Sequence, residues 1–393
     1  MQTHIARPIG GLALLALVSA AAHAQIHAMA NYETKSPDSL KALKSPITPP
    51  ARKEGIAIID VDPDSKTFGQ IVQDLPLPGD LVAHHIFYNR DQTKAYVTAL
   101  GKSELRVIDM SQKPLQMKVV AVPDCAVGED VVFSDDNKKW YLSCMGSQAM
   151  IVGDAVTDQP LSTVKVGLPY PHGIAIHNGI DRILTTSTVR ASDLGDPGEG
   201  ISVIEASSGK VLASHKLSNK PSPAGEAPVE ILFVPGSSPP VAYITNMYGG
   251  TLWTAAWNPA SKAFDVAQAH DFSGQKAGVP LEIYFSKNGE RMYVTTAKPG
   301  HLHIFDTSTA TRPKLLKSIA TAEGAHHVAF TKDGRYAFVQ NTLLNLPGMS
   351  DGSITVIDLK TETAVRSIDT LKSTGFNPNS LVLLPQWNDP AGH

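Results

Sequence analysis

A chain of 393 residues, 42% hydrophobic and with a formal net charge of −3, has the bulk for one large domain or two ordinary ones. The mildly acidic balance gives no electrostatic reason to expect a nucleic-acid or anionic-membrane partner. Two cysteines cannot supply a disulfide framework, and without a Cys-x-x-Cys-His motif covalent haem attachment is not expected.

The amino terminus reads as an export signal. Met1–Gly11 carries one positive charge, Arg7; Leu12–Ala22 is apolar; Ala22-His23-Ala24 is a small-x-small cleavage site. The apolar run is too short to span a bilayer, and no later run is long enough, so no membrane span is expected. The mature protein is expected to begin near Gln25, in the periplasm or outside the cell.

From there the chain repeats. Seven segments share a small or Pro residue, two variable residues and an apolar stretch. They are Ala83-His84-His85-Ile86-Phe87, Gly128-Glu129-Asp130-Val131-Val132, Pro171-His172-Gly173-Ile174-Ala175, Pro228-Val229-Glu230-Ile231-Leu232, Pro280-Leu281-Glu282-Ile283-Tyr284, Ala325-His326-His327-Val328-Ala329 and Pro378-Asn379-Ser380-Leu381-Val382. They recur 43 to 57 residues apart, which fits the repeat of four-stranded propeller blades. A polar turn follows each, with Asn288-Gly289 and Asp333-Gly334 as hairpin chemistry. Second strands follow (Ala95–Thr98, Trp140–Ser143, Ala242–Thr245, Met292–Thr295), then third strands (Leu105–Asp109, Ile201–Glu205, His303–Asp306, Ile354–Asp358). The acids that close the third strands, such as Asp109, Glu205, Asp306 and Asp358, read as turn formers.

The two ends complement each other. Gly55–Asp60 matches a third strand without its first, and Asn379–Leu384 a first strand without its third. Ile26–Tyr32 is the candidate for the second strand between them. The prediction is an all-β, seven-bladed β-propeller closed by pairing the amino- and carboxyl-terminal strands in one composite blade. Its parts would be a signal peptide over 1–24, an amino-terminal extension over 25–54, the propeller over 55–387 and a carboxyl-terminal tail over 388–393. The Tyr-Val-Thr second strands resemble those of the YVTN-repeat propellers, secreted and periplasmic seven-bladed proteins, over roughly residues 50–385.

First strands line a propeller's channel and run the same way, so the seven variable pairs converge on one mouth. That ring holds five of the fourteen histidines (His84, His85, His172, His326, His327) and four carboxylates (Glu129, Asp130, Glu230, Glu282). Carboxylates crowded in a channel repel and lose hydration, which a divalent cation relieves. Imidazole suits Cu, Zn, Fe and Ni. The expected metal ligands are His84, His85, Glu129, Asp130, His172, His326 and His327. Each taken singly is equally consistent with a hydrogen-bonded structural residue.

The adjacent His pairs resemble the channel sites of copper-site propellers, the nitrous-oxide reductases and thiocyanate dehydrogenases. The resemblance implies copper and an oxidoreductase acting on a small-molecule substrate, with room for a periplasmic electron-transfer partner. Glu230 and Glu282 depart from the all-histidine reductase pattern. They become candidate catalytic bases, nearer the thiocyanate dehydrogenase pattern. Two long loops, Val189–Gly200 and Leu343–Gly352, lie where they could cover the site. The alternatives are a non-catalytic binding propeller and a lactonase-type hydrolase. A single-strand nucleic-acid binder would need a basic, aromatic groove that this ring does not offer.

His301 and His303 alternate along a third strand and read as an exposed face. Cys144-Met145 could be a soft copper site, whereas Cys125 and Cys144 could pair as a disulfide, which export favours.

Overall fold

The computed structural model describes residues 25–48 and 50–392, so the export signal read over 1–24 lies outside them. Seven antiparallel sheets follow one another around a ring. Blade 1 is built from Ala83–Tyr88, Lys94–Ala99, Glu104–Asp109 and Gln116–Ala121. Blades 2 to 6 repeat this with first strands Gly128–Phe133, Pro171–His177, Pro228–Phe233, Gly278–Phe285 and Ala325–Thr331. First strands of neighbouring blades pack side by side. They are almost fully buried, while fourth strands such as Pro160–Lys165 are largely exposed. The gradient follows from the radial stacking of sheets, which leaves only each outermost strand facing water.

Blade 7 is composite. Phe376–Leu383 from the carboxyl terminus pairs with His27–Thr34, which pairs with Glu54–Asp60 and then Ile71–Leu77. The second strand therefore lies where the sequence placed its candidate. Ala28, Ala30 and Tyr32 join Leu381 and Leu383 in one apolar cluster with Phe338 and Val356 of blade 6. Closure is thus made by burial between blades as well as by strand pairing, and it leaves no open sheet edge between the two ends.

Lys35 then clasps the loop between the second and third strands of blade 6, Tyr336–Asn341 and Ile354–Asp358. Its buried ammonium donates to the carbonyls of Ser350 (2.7 Å) and Asp351 (3.1 Å) and to the Asn377 side chain. The tail also has a place in the fold. Asn388–Asp389 adds a short fifth strand to the inner edge of blade 6, opposite Thr331 and Phe330.

The hairpin glycines behave as read: Gly289 and Gly334 adopt φ of 69° and 67°. One expectation is corrected. His303 is fully buried, between Thr296 Oγ1 (3.0 Å) and Ser318 Oγ (2.8 Å) and near the Phe272 ring. Its strand is third of four and is covered on both faces, so period-two alternation gives no exposed side there.

Cys125 and Cys144 form a disulfide with a Cα–Cα distance of 5.2 Å, so Cys144 is no soft ligand. The bond anchors the segment entering blade 2 to the end of that blade's second strand, across 19 residues. Closing a loop of that length in the unfolded chain is worth about 3 kcal/mol. The Cys125→Ala/Cys144→Ala variant is expected to keep the far-ultraviolet spectrum and lose about that much stability in denaturant unfolding. Unchanged stability would mean that the bond carries no folding role.

Candidate metal centre

The pairs at the strand starts sit in bulges. In blades 1 to 6 the register between first and second strand shifts across the pair, as between Ala83 and Ile86 or between Ala325 and Val328. In blade 7 it shifts opposite Ser380. A bulge releases backbone groups from the ladder and re-aims side chains. The released groups are taken by one buried polar residue on each second strand, two positions after the aromatic or apolar residue that opens the Tyr-Val-Thr pattern.

Asn31 accepts from Ser380 N–H (2.8 Å) and donates to the His84 carbonyl of the next blade (2.9 Å). Thr98 accepts from His85 N–H (3.0 Å). Ser143 accepts from Asp130 N–H (3.0 Å) and donates to the His172 carbonyl. Thr186 donates to the Val229 carbonyl (2.7 Å). Thr245 accepts from Glu230 N–H (3.2 Å) and donates to the Leu281 carbonyl (2.5 Å). Thr295 accepts from Glu282 N–H (3.1 Å). Gln340 accepts from His327 N–H (3.1 Å) and donates to the Pro378 carbonyl (2.6 Å). Sequence reading missed this belt. Its signal was the Thr, Ser, Asn or Gln recurring at one place in every second strand.

Held in this way, both members of a pair reach the channel. The donors fall into two groups whose ligand atoms lie within 4.8 Å of one another. One is His84, His85, Glu129 and His172; the other is His85, Glu282, His326 and His327. His85 belongs to both. His84 Nε2 and His172 Nε2 lie 3.1 and 3.5 Å from Glu129 Oε2. His326 Nε2 lies 3.2 Å from Glu282 Oε1, and His327 Nδ1 3.7 Å from Oε2. The His84 and His85 rings stack at 3.9 Å, and His85 meets His327 at 4.5 Å across the channel.

Asp130 takes a different position from Glu129. Its Oδ1 is 2.6 Å from His85 Nδ1, and it stands outside both donor groups. A carboxylate behind an imidazole in this way fixes the ring's orientation and tautomer. Glu282 takes a place in the donor set, between His326 and His327. Glu230 lies outside both groups, accepts its own neighbour's Ile231 N–H (2.8 Å) and faces Asp130 and Glu282. Gly173 completes the blade 3 pair without a side chain, because a Cβ there would fall 2.3 Å from the Val229 carbonyl oxygen of blade 4.

Burial sets the protonation. It pushes His84 down to about 3, with the nearby His326 adding to the shift, and holds His327 well below the ordinary histidine range. It raises Glu129 to about 8. It also raises Glu230 far above the carboxylate range, with Asp130 and Glu282 reinforcing the effect. Burial pushes Glu282 up too, but His327 and His326 beside it outweigh that and bring it to about 2. Of the two glutamates from blades 4 and 5, Glu230 is shifted toward the acid and Glu282 toward the carboxylate. Neutral imidazoles keep a lone pair for a cation.

Hydrogen bonds do not use up these donors. Among the described residues, His84 Nδ1, His172 Nδ1 and His327 Nε2 are buried and meet no hydrogen-bond partner. Buried polar atoms of that kind call for an explanation, and a bound ion is one.

No family model and no curated protein matches the chain. Solved structures do. A hypothetical selenium-binding protein from Sulfolobus tokodaii superposes with a TM-score of 0.72 at 14% identity, covering 93% of this chain and 95% of its own. Hydrazine synthase of Kuenenia stuttgartiensis gives 0.56 at 14% identity, covering 78% and 91%. A Bacteroides fragilis protein provisionally named a 6-phosphogluconolactonase gives 0.59 at 13%, covering 91% and 98%. At these identities the likeness is one of fold, and fold does not carry function.

The loops singled out from sequence meet over part of the ring. Val189 and Leu194 of one pack with Leu343, Leu346 and Met349 of the other, onto Val229 and Leu281. Those two are the apolar members of the pairs in blades 4 and 5, so the loops cap the side of the ring that holds no histidine.

Ser143 makes the sharpest test of the belt, since it holds backbone groups of two ring residues. Ser143→Ala leaves the Asp130 N–H and the His172 carbonyl without this partner. It is expected to cost about 1–3 kcal/mol, read as a lowered midpoint in denaturant unfolding. An unchanged midpoint would show that the belt does not hold the bulges.

Proposed function

We propose that this chain is an exported metalloprotein whose channel ring holds copper and oxidises a small molecule. The observation that carries the reading is the pair of buried donor groups sharing His85, with imidazole nitrogens left without hydrogen bonds. Imidazole suits copper among other metals, and at a given nitrogen and oxygen site copper(II) binds tightest of the first-row divalent ions. It also agrees with the resemblance of the His-His pairs to copper-site propellers. The leader expected over 1–24 supports delivery to the periplasm, where an electron-transfer protein could take the electrons onward.

His84, His85 and His172 with Glu129, and His326 and His327 with Glu282, would hold the ion. Bound copper would supply one-electron chemistry to a substrate at the ring. Asp130 keeps the His85 ring in place. With Nε2 turned to the ion, His327 Nδ1–H donates toward the Tyr284 hydroxyl oxygen (3.4 Å), which also accepts the Val328 N–H (3.1 Å), and this restrains the second group in the same manner. Glu230 holds a proton beside the ring and fits the part of a proton donor, or of a base once a cation nearby has drawn that proton off.

Elemental mass spectrometry on untagged protein from a periplasmic fraction tests the reading. Wild type is expected to carry stoichiometric copper, and the His84→Ala/His326→Ala variant to carry little or none while keeping its fold. No metal in either protein after copper or zinc loading would overturn the reading and leave a binding propeller. Asp130→Asn is the finer test. It is expected to keep the ligands and lower copper affinity about 10- to 100-fold, measured by chelator competition.

A further inference from the structure

Beneath the ring, the channel widens into a chamber of about 260 Å³. Its wall is mostly apolar, with Phe87, Val131, Ala175, Leu232, Val328 and Leu381 drawn from six different blades. Glu282, Tyr284 and His327 border it at the ring end, so the second donor group opens directly onto it. At the far end stand Asn89, Arg90 and Gln92 and the tail residues 388–392.

The tail crosses that far mouth. It pairs with blade 6 through Asn388 and Asp389, and its Ala391 carbonyl accepts the Phe285 N–H of blade 5 (2.7 Å). Gly392 then reaches blade 4, where a Cβ on it would sit 3.0 Å from Leu232. Among the described residues the tail is held by a two-residue bridge, a few single bonds and the burial of Asn388 and Ala391, the latter in an apolar cluster with Tyr284, Val328 and Phe330. It lies on the free edge of Ala325–Thr331, so it can lift away without unpairing any blade strand from its neighbour.

We propose that this chamber binds a neutral, mainly apolar organic molecule against Glu282, Tyr284 and His327, and that the tail 388–392 is the door through which it enters. The proposal deepens the metal reading by naming the substrate class, and in that respect rests on it. Charge supports the choice. An inorganic anion would find no lysine or arginine among Glu282, Tyr284 and His327 at the ring end. It would gain nothing from Arg90 at the other, whose guanidinium is already on the Phe133 carbonyl (2.9 Å) and near Asp135 (3.6 Å). Size supports it too. Apolar cavities of roughly 150 Å³ take up benzene, so this chamber admits a ring of that size or somewhat larger. The cap of the two long loops on Val229 and Leu281 closes part of the opposite mouth, which favours approach from the tail side.

The test uses iodobenzene as the neutral probe and thiocyanate as the anionic one. Both are soaked into crystals of the full mature chain and titrated calorimetrically, with metal content measured on the same samples. Iodine density inside the chamber is expected, together with binding that a Val131→Phe variant weakens at least tenfold without changing metal content. A variant ending at Trp387 is expected to bind iodobenzene at least tenfold faster with little change in affinity. Ordered water alone in the chamber, or thiocyanate bound there in preference, would overturn the assignment of substrate class. An unchanged rate in the truncated variant would overturn the door. Iodobenzene bound in protein that takes up no metal would leave the chamber standing and remove the metal reading.

Discussion

The site depends on one repeated constraint, the bulge at the start of each first strand and the buried polar side chain that holds it. A regular strand would send the two members of a pair to opposite faces, one to the channel side and one into the neighbouring blade. The bulge instead brings His84 and His85 into one donor group, and His326 and His327 into another. Its released N–H and the carbonyl of the next blade would be costly if left unpaired in a dry core. Asn31, Ser143 and Thr245 satisfy both at once. The same bonds therefore stitch blade to blade and present paired side chains to the channel.

The balance of charge in the ring follows from that presentation. Six ion-pair contacts link histidines with Glu129, Asp130 and Glu282, and all of these groups are nearly removed from water. Mutual pairing could in principle satisfy such a cluster without any ion. It does not do so fully here. Burial disfavours the charged forms of His84 and His327, so these contacts are weaker than ion pairs between exposed full charges of ordinary pKa. Glu129 and Glu230 are driven toward their acid forms for the same reason. A cation would reverse the sign of the local field and make ionised carboxylates favourable.

Much of this was legible in the sequence because propeller repeats are long and regular. The small-x-x-apolar pattern placed all seven strand starts, and the unmatched ends at Gly55 and Asn379 revealed the composite blade. Other features left weaker traces. Thr98 or Thr295 in a strand looks like ordinary β propensity, and only its fixed place across blades marks it as a clamp. The different stations of Glu129 and Asp130 depend on which side of blade 2 each carboxyl reaches, which no spacing encodes. The segment 388–393 reads as a tail because its pairing, at Asn388 and Asp389, is too short to leave a strand pattern. His303 misled because alternation reports exposure only for strands with a solvent face.

The composite blade shows how closure and chemistry are kept apart. It carries the junction on which the ring's integrity rests, and its pair, Asn379-Ser380, is the one pair with neither an imidazole nor a carboxylate. Ser380 N–H is held by Asn31, and the Asn379 amide donates to the Ala83 carbonyl (3.2 Å), so this blade spends its polar groups on backbone. Small neutral side chains also leave space. Blade 7 lies between blades 6 and 1, yet the His85 and His327 rings approach to 4.5 Å past it. A bulkier or charged pair there would separate the two donor groups that now share His85. The blade that joins the termini thus adds no donor side chain of its own and reaches the ring through backbone, with Asn31 donating to the His84 carbonyl and Ser380 Oγ accepting the Ile86 N–H (3.3 Å).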